Sequence, residues 1–248
     1  MKFSLRKKDN IELPSQTELS CQNHFQNEFL DVSKQKFRTI KNSKRTLNVL
    51  GTPVIALPFD AQMKMILNWA SNCESKVVCL ANMHMLIEAY WHPEFAHILK
   101  SADIVTPHGI LLVWIIRLMT AQQYNRVAPM DILWFLCKQA PQHNISVFFL
   151  GAKATVLEKL RTKLQQKFPN LKIAGISPLP LRSLTAAEDD AIIQKINVSG
   201  ATLVFVILKY PKQEYWMHQH KGKIQAVMIG LGAVLPLDPS GALGQARE

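Results

Sequence analysis

Residues 1–45 show few aliphatic side chains in any helical or strand rhythm, and from Leu47 onward the pattern changes. Short runs rich in Val, Ile, Leu and Phe then alternate with stretches whose apolar residues recur every three or four positions, which is the pattern of alternating strands and helices. Strands are expected at Leu47–Gly51, Lys76–Ala81, Asp103–Thr106, Ile145–Leu150, Leu171–Ile176, Leu203–Leu208 and Ala226–Ile229. Helices are expected from Asp60 as a cap through Trp69, from Pro93 through Leu99, and over Ile110–Leu118, Met130–Ala140, Lys153–Phe168, Ala186–Val198 and Pro211–Lys221. Leu47–Gly51, the helix after it and Lys76–Ala81 read as a first βαβ unit. The fold class that follows is α/β: a Rossmann-like, open, mainly parallel sheet flanked by helices, in a single core domain. Ligands of such sheets gather beyond the carboxyl ends of the strands.

The longest apolar run, Ile110–Ile116, stops at Arg117 and is far shorter than the roughly 20 residues of a spanning helix. The start of the chain is basic but lacks the apolar stretch of a secretory signal, so no export is expected. Cys21, Cys73, Cys79 and Cys137 are scattered, without the spacing of a zinc site or a disulfide scaffold. A reducing cytoplasm is the simplest location. No carboxylate pair marks a metal-diphosphate site, and neither metal nor cofactor is expected.

The formal charge is +11, which favours anionic partners: nucleotide diphosphates, acidic lipid or nucleic acid. Residues 1–45 hold ten Lys/Arg against five Asp/Glu and read as a basic, mobile extension. It is either solvated surface or a source of weak, salt-sensitive peripheral contact with the inner face of the cytoplasmic membrane. No nucleic-acid reading motif accompanies the charge, so a basic nucleic-acid-binding protein ranks last among the function classes.

Several strand-end loops carry candidate binding residues. Gly151 and Lys153 join a strand to a helix whose first amides could cradle phosphate, although a glycine chosen for a tight turn explains the same residues. The absence of GxGxxG disfavours a nicotinamide enzyme. Asn82 ends a strand and could donate and accept hydrogen bonds or simply form a turn. Arg126 could pair with phosphate or be ordinary surface charge, and Gln213 could bind ligand at the start of its helix while Glu214 caps it.

The strings LANMHMLIEAYWHPEFAHILKSADIVTPHGILLVW, RVAPMDI, VFFLGAK, KINVSGATLVFV, PKQEYW and MIGLGA occur in an order and at spacings that resemble the WecG/TagA/CpsF glycosyltransferase family over about residues 46–235. The resemblance implies an inverting transferase of surface-polysaccharide biosynthesis. Such an enzyme moves an N-acetylmannosamine-type sugar from a UDP donor to a polyprenyl-diphosphate-linked acceptor. It also implies that Asn82, Arg126 and Gln213 hold the UDP-activated amino sugar and that His108 stands at the position of the catalytic base.

Departures from the family pattern accompany the match. His108 stands where the family has a carboxylate, Leu80 where threonine is common, and Pro129 where glycine is favoured. ILKYPKQE lacks the glycine usual before that block. These changes are expected to remove polar contacts or stiffen backbone that approaches ligand. Residues 236–248 read as an irregular tail in place of the family's C-terminal appendage, with Pro236 at the position of an expected aspartate. A working transferase using His108, with little turnover expected, and a UDP-sugar-binding remnant both fit these departures.

Overall fold

The computed structural model describes residues 46–121, 124, 126–180, 182 and 184–233. The expected basic extension and the expected tail lie outside the described residues.

The fold opens with β1 (Thr46–Val49) and β2 (Thr52–Ile55), an antiparallel hairpin forming its own two-stranded sheet. This corrects the expected βαβ start. Leu50 and Gly51 both take positive φ, the geometry of the tight turn that returns a strand on itself, so β1 pairs with β2 instead of entering the main sheet.

There follow α1 (Phe59–Ser71), β3 (Lys76–Ala81), α2 (Met83–Trp91), α3 (Pro93–Ser101), β4 (Ile104–Pro107), α4 (Ile110–Thr120), α5 (Pro129–Gln139), β5 (Val147–Gly151), α6 (Ala154–Lys167), β6 (Ile173–Pro178), α7 (Ala186–Val198), β7 (Leu203–Val206), α8 (Lys212–His220) and β8 (Val227–Gly230). The six strands β3 to β8 form one sheet in the order β4-β3-β8-β7-β5-β6, and every adjacent pair is parallel. The Rossmann-like α/β architecture is thereby shown.

Alternation along the strands sorts the core into two layers. Val77, Cys79, Ala81, Val105, Phe148, Leu150, Val204, Val206 and Met228 pack with α2, α3, α4, α7 and α8. Their sequence neighbours, among them Val78, Leu80, Phe149, Phe205 and Ile229, pack with α1, α5 and α6. Burial on both faces explains why these strands read as continuous apolar runs.

Two expected starts differ. Asp60 does not cap α1, which begins one residue earlier at Phe59 behind Pro58, and lies instead in the first turn, where its charge suits the helix dipole. Pro211 precedes the first residue of α8 rather than forming its first turn. One helix, α2, escapes periodicity altogether because its exposed side carries Ile87, Tyr90 and Trp91.

Candidate functional site

At the carboxyl edge of the sheet, β3 delivers Asn82 and its parallel neighbour β4 delivers His108. The pairing of Ala81 with Pro107 continues one step further, with the His108 amide donating to the Ala81 carbonyl at 2.8 Å. On its other side His108 forms a parallel bridge with Val127, the residue after Arg126. Asn82 caps α2 by accepting the Met85 amide at 3.0 Å. A Cβ on the adjoining Gly109 would lie 3.7 Å from the Asn82 Cβ. Backbone pairing therefore brings Asn82, His108 and Arg126 to one place.

The imidazole of His108 is partly buried, and its Nδ1 has no partner among the described residues. Burial, and after it the positive charge of Arg126, hold its pKa below the ordinary 6.5. The ring is thus neutral at physiological pH and able to accept a proton. Arg126 itself is exposed and can meet an anion.

A buried amide braces this corner. Gln62 of α1 donates through Nε2 to the Leu57 carbonyl and the Tyr124 hydroxyl, both at 2.8 Å, while its Oε1 accepts from the Thr106 hydroxyl at 2.8 Å. Burial pushes the Tyr124 hydroxyl up to about 12, so it stays neutral. The network ties α1 to the end of β4 and to the segment leading to Arg126. Sequence reading missed it, although a glutamine among the apolar helix positions Met63, Ile66 and Leu67 was the available signal.

Gln213 is buried at the start of α8 and is already heavily used. Its Oε1 accepts the Gly232 amide at 2.8 Å and the Leu208 amide at 3.4 Å, and its Nε2 donates to Glu214 at 3.0 Å. The side chain clips the exit of β7 to the exit of β8, lying over Gly230, where a Cβ would collide with its amide. The second Nε2 hydrogen makes no hydrogen bond among the described residues. Glu214 is buried beside it, with Oε2 lacking a partner among the described residues, and burial raises its carboxyl pKa. Both α2 and α8 cover the same layer of the sheet, so Asn82 and Gln213 lie at one edge and on one side. If the clip is structural, Gln213→Ala will lower unfolding free energy by about 1 to 3 kcal/mol, because two amides and a carboxyl lose their partner. Unchanged denaturant unfolding would leave ligand contact as its only role.

Gly151 ends β5, and Lys153 stands exposed at the entry of α6. Gly151 has a φ of +117°, and a Cβ there would lie 2.7 Å from the Ile207 carbonyl oxygen. Close packing against the segment leaving β7 thus accounts for the glycine itself.

Other residues of the quoted strings are structural. Asp103 stands at the opposite end of β4, where it accepts the Val77 amide at 2.9 Å and pairs with Lys221 at 2.8 Å. Asp131 accepts the Ala128 amide at 3.0 Å and caps α5. Leu80 is core. Pro129 occupies the first turn of α5, where no amide hydrogen is needed, so it starts a helix instead of stiffening a ligand loop.

Comparison with known proteins now adds to this geometry. The model of the glycosyl transferase WecG/TagA/CpsF family matches residues 47–237. An N-acetylglucosaminyldiphosphoundecaprenol N-acetyl-beta-D-mannosaminyltransferase from Bacillus spizizenii is 33% identical over 156 residues, covering 62% of this chain and 59% of the relative. Proteins of the same name from Bacillus subtilis and Staphylococcus aureus are 29% identical over 157 residues and 24% identical over 159. Those matches cover 63% and 64% of this chain, and 59% and 61% of the relatives. The chain spans about three fifths of the length of the curated relatives it matches. It belongs to the WecG/TagA/CpsF glycosyl transferase family.

Proposed function

We propose that this family member is an inverting glycosyltransferase that moves an N-acetylmannosamine-type sugar from UDP to a hydroxyl of a polyprenyl-diphosphate-linked N-acetylglucosamine. The relatives' name describes the sugar moved and the acceptor, and the UDP donor follows from the family. The observation that carries the reading is the meeting of a neutral, partly buried imidazole with an exposed guanidinium at the carboxyl ends of β3 and β4.

In this reading His108 takes the proton of the acceptor hydroxyl as its oxygen attacks the anomeric carbon. The bond from that carbon to the diphosphate breaks with its electron pair leaving on UDP, and Arg126 faces the charge that develops. Asn82 and the second Nε2 hydrogen of Gln213 hold polar groups of the donor. Lys153 adds a positive charge further along the same edge.

Arg126 also makes the imidazole available, since its charge disfavours the imidazolium in the empty site. Once the diphosphate is bound, its negative charge offsets the guanidinium and strengthens the base where the proton must be taken. A carboxylate at this position would carry a fixed charge beside the departing phosphate, which the neutral ring avoids.

The deciding experiment pairs UDP binding with acceptor-dependent UDP release. Arg126→Ala is expected to weaken UDP binding roughly 5- to 150-fold, the range for a lost charged hydrogen bond. An unchanged dissociation constant in calorimetry would return Arg126 to ordinary surface charge.

A further inference from the structure

Helix α4 leaves the site directly: it begins at Ile110, after His108 and Gly109. One arc of the helix, Leu112, Val113 and Ile116, is buried against the sheet. The opposite arc should be polar in a water-exposed helix, but it carries Ile110, Leu111, Trp114, Leu118 and Met119. Trp114 is 65% and Leu118 87% exposed. These side chains form a stripe down one helix rather than scattered singles, and such a stripe marks an interaction surface.

We propose that this face of α4 docks on an anionic lipid bilayer, lying in the plane of the interface with its apolar side chains among the acyl chains. Charge selects that occupant. The helix holds no Asp or Glu, the exposed Arg117 flanks the stripe, Arg126 lies beyond its first turn, and the chain carries +11 overall. Two copies of so basic a protein repel one another face to face, whereas anionic headgroups attract it. Indole is a side chain suited to the headgroup boundary, where its apolar ring and N–H both find partners. At 11 residues the helix is too short to span, and among the described residues no helix is long and apolar enough to cross a membrane. An apolar stripe together with positive charge supplies the two signals that stable peripheral attachment requires.

The inference rests on the transferase reading for its purpose. A bilayer seated on α4 brings headgroups to the level of His108 and Arg126, where the diphosphate of a membrane-held polyprenyl acceptor resides.

The test is sedimentation of the full chain with vesicles of phosphatidylglycerol and phosphatidylethanolamine, in about 0.15 M and about 1 M salt, where the screening length drops to roughly 3 Å. Wild type should bind and retain a measurable fraction in high salt. Joint replacement Trp114→Ser and Leu118→Ser should reduce binding roughly tenfold or more, mainly by removing the salt-resistant part. Leu118→Ser alone, at the most exposed position, should reduce it less. Both variants should melt like wild type.

Equal binding by wild type and the double variant overturns the proposal, as does a wild type that ignores these vesicles. In the latter case, loss of self-association in the variant would identify a second copy as the occupant, and a lowered melting temperature would identify another part of the chain. The two readings fail separately. Vesicle docking through α4 without UDP binding would sink the transferase alone; transfer to a water-soluble, short-chain acceptor without docking would sink the membrane face alone.

Discussion

Replacing His108 by alanine is expected to slow acceptor-dependent UDP release by about 10²- to 10⁴-fold, the worth of a positioned general base, while UDP binding is largely kept. Backbone pairing sets the imidazole beside Arg126, and its Nδ1 has no hydrogen-bond partner among the described residues. The pH profile distinguishes this base from the carboxylate usual in the family. Because burial and Arg126 lower the His108 pKa, the acid limb of kcat/KM should fall below 6.5. The limb of kcat, read with the diphosphate bound, should lie higher. In His108→Asp the kcat/KM limb should move toward the carboxylate range near about 4.

Stability should follow the same group. Its folded-state pKa lies below its unfolded value, so as pH falls past 6.5 the unfolded chain takes up the proton first. The stabilising contribution is therefore complete above 6.5 and is lost as pH drops toward the folded-state value. Vigorous UDP release by His108→Ala would remove the residue from the mechanism. UDP binding without release by the unaltered chain would instead establish a sugar-nucleotide-binding remnant.

Gly151→Ala should lower stability by roughly 2 to 5 kcal/mol. Two costs add. The φ of +117° is one that side-chain-bearing residues rarely adopt, and the new Cβ would meet the Ile207 carbonyl oxygen at 2.7 Å and the Leu208 side chain at 2.9 Å. The carbonyl cannot yield cheaply because the strand before it is paired on both sides, to β5 and to β8. Equilibrium denaturation measures the effect, and a loss under about 1 kcal/mol would mean that this crossing is looser than its geometry. Lys153→Ala separates packing from phosphate binding at the same turn: weaker UDP binding at unchanged stability would give the loop its anion, and no change would leave the turn a packing feature.

Much of this was legible along the chain. The parallel strands β3, β4, β5, β7 and β8 announce themselves as apolar runs because both their faces are covered, the edge strand β6 is only half-buried, and α7 starts and stops where its pattern does. The helix α2 was not legible, since Tyr90 and Trp91 face outward and blur the periodicity. The first strand was assigned to a βαβ unit because a hairpin and a strand leading to a helix look alike until pairing is known. In the site, residue types in collinear blocks pointed to Asn82, His108, Arg126 and Gln213. They could not separate contacts from supports: Asp103 and Asp131 stand in the same blocks and hold backbone amides.

The sequence by itself determined the alternation of strands and helices, the apolar character of the sheet and the family, because these depend on residue order and short-range periodicity. Only the tertiary structure decided which side chains meet. Parallel pairing of β3 with β4 and the bridge to Val127 place His108 next to Arg126, across 17 intervening residues that carry no trace of that contact. Likewise Ile110–Ile116 reads as an apolar run within an expected helix, and only packing shows that one arc of that helix is covered while Ile110, Leu111 and Trp114 stay exposed. Periodicity reports that a residue is apolar, whereas burial depends on what the rest of the chain brings against it.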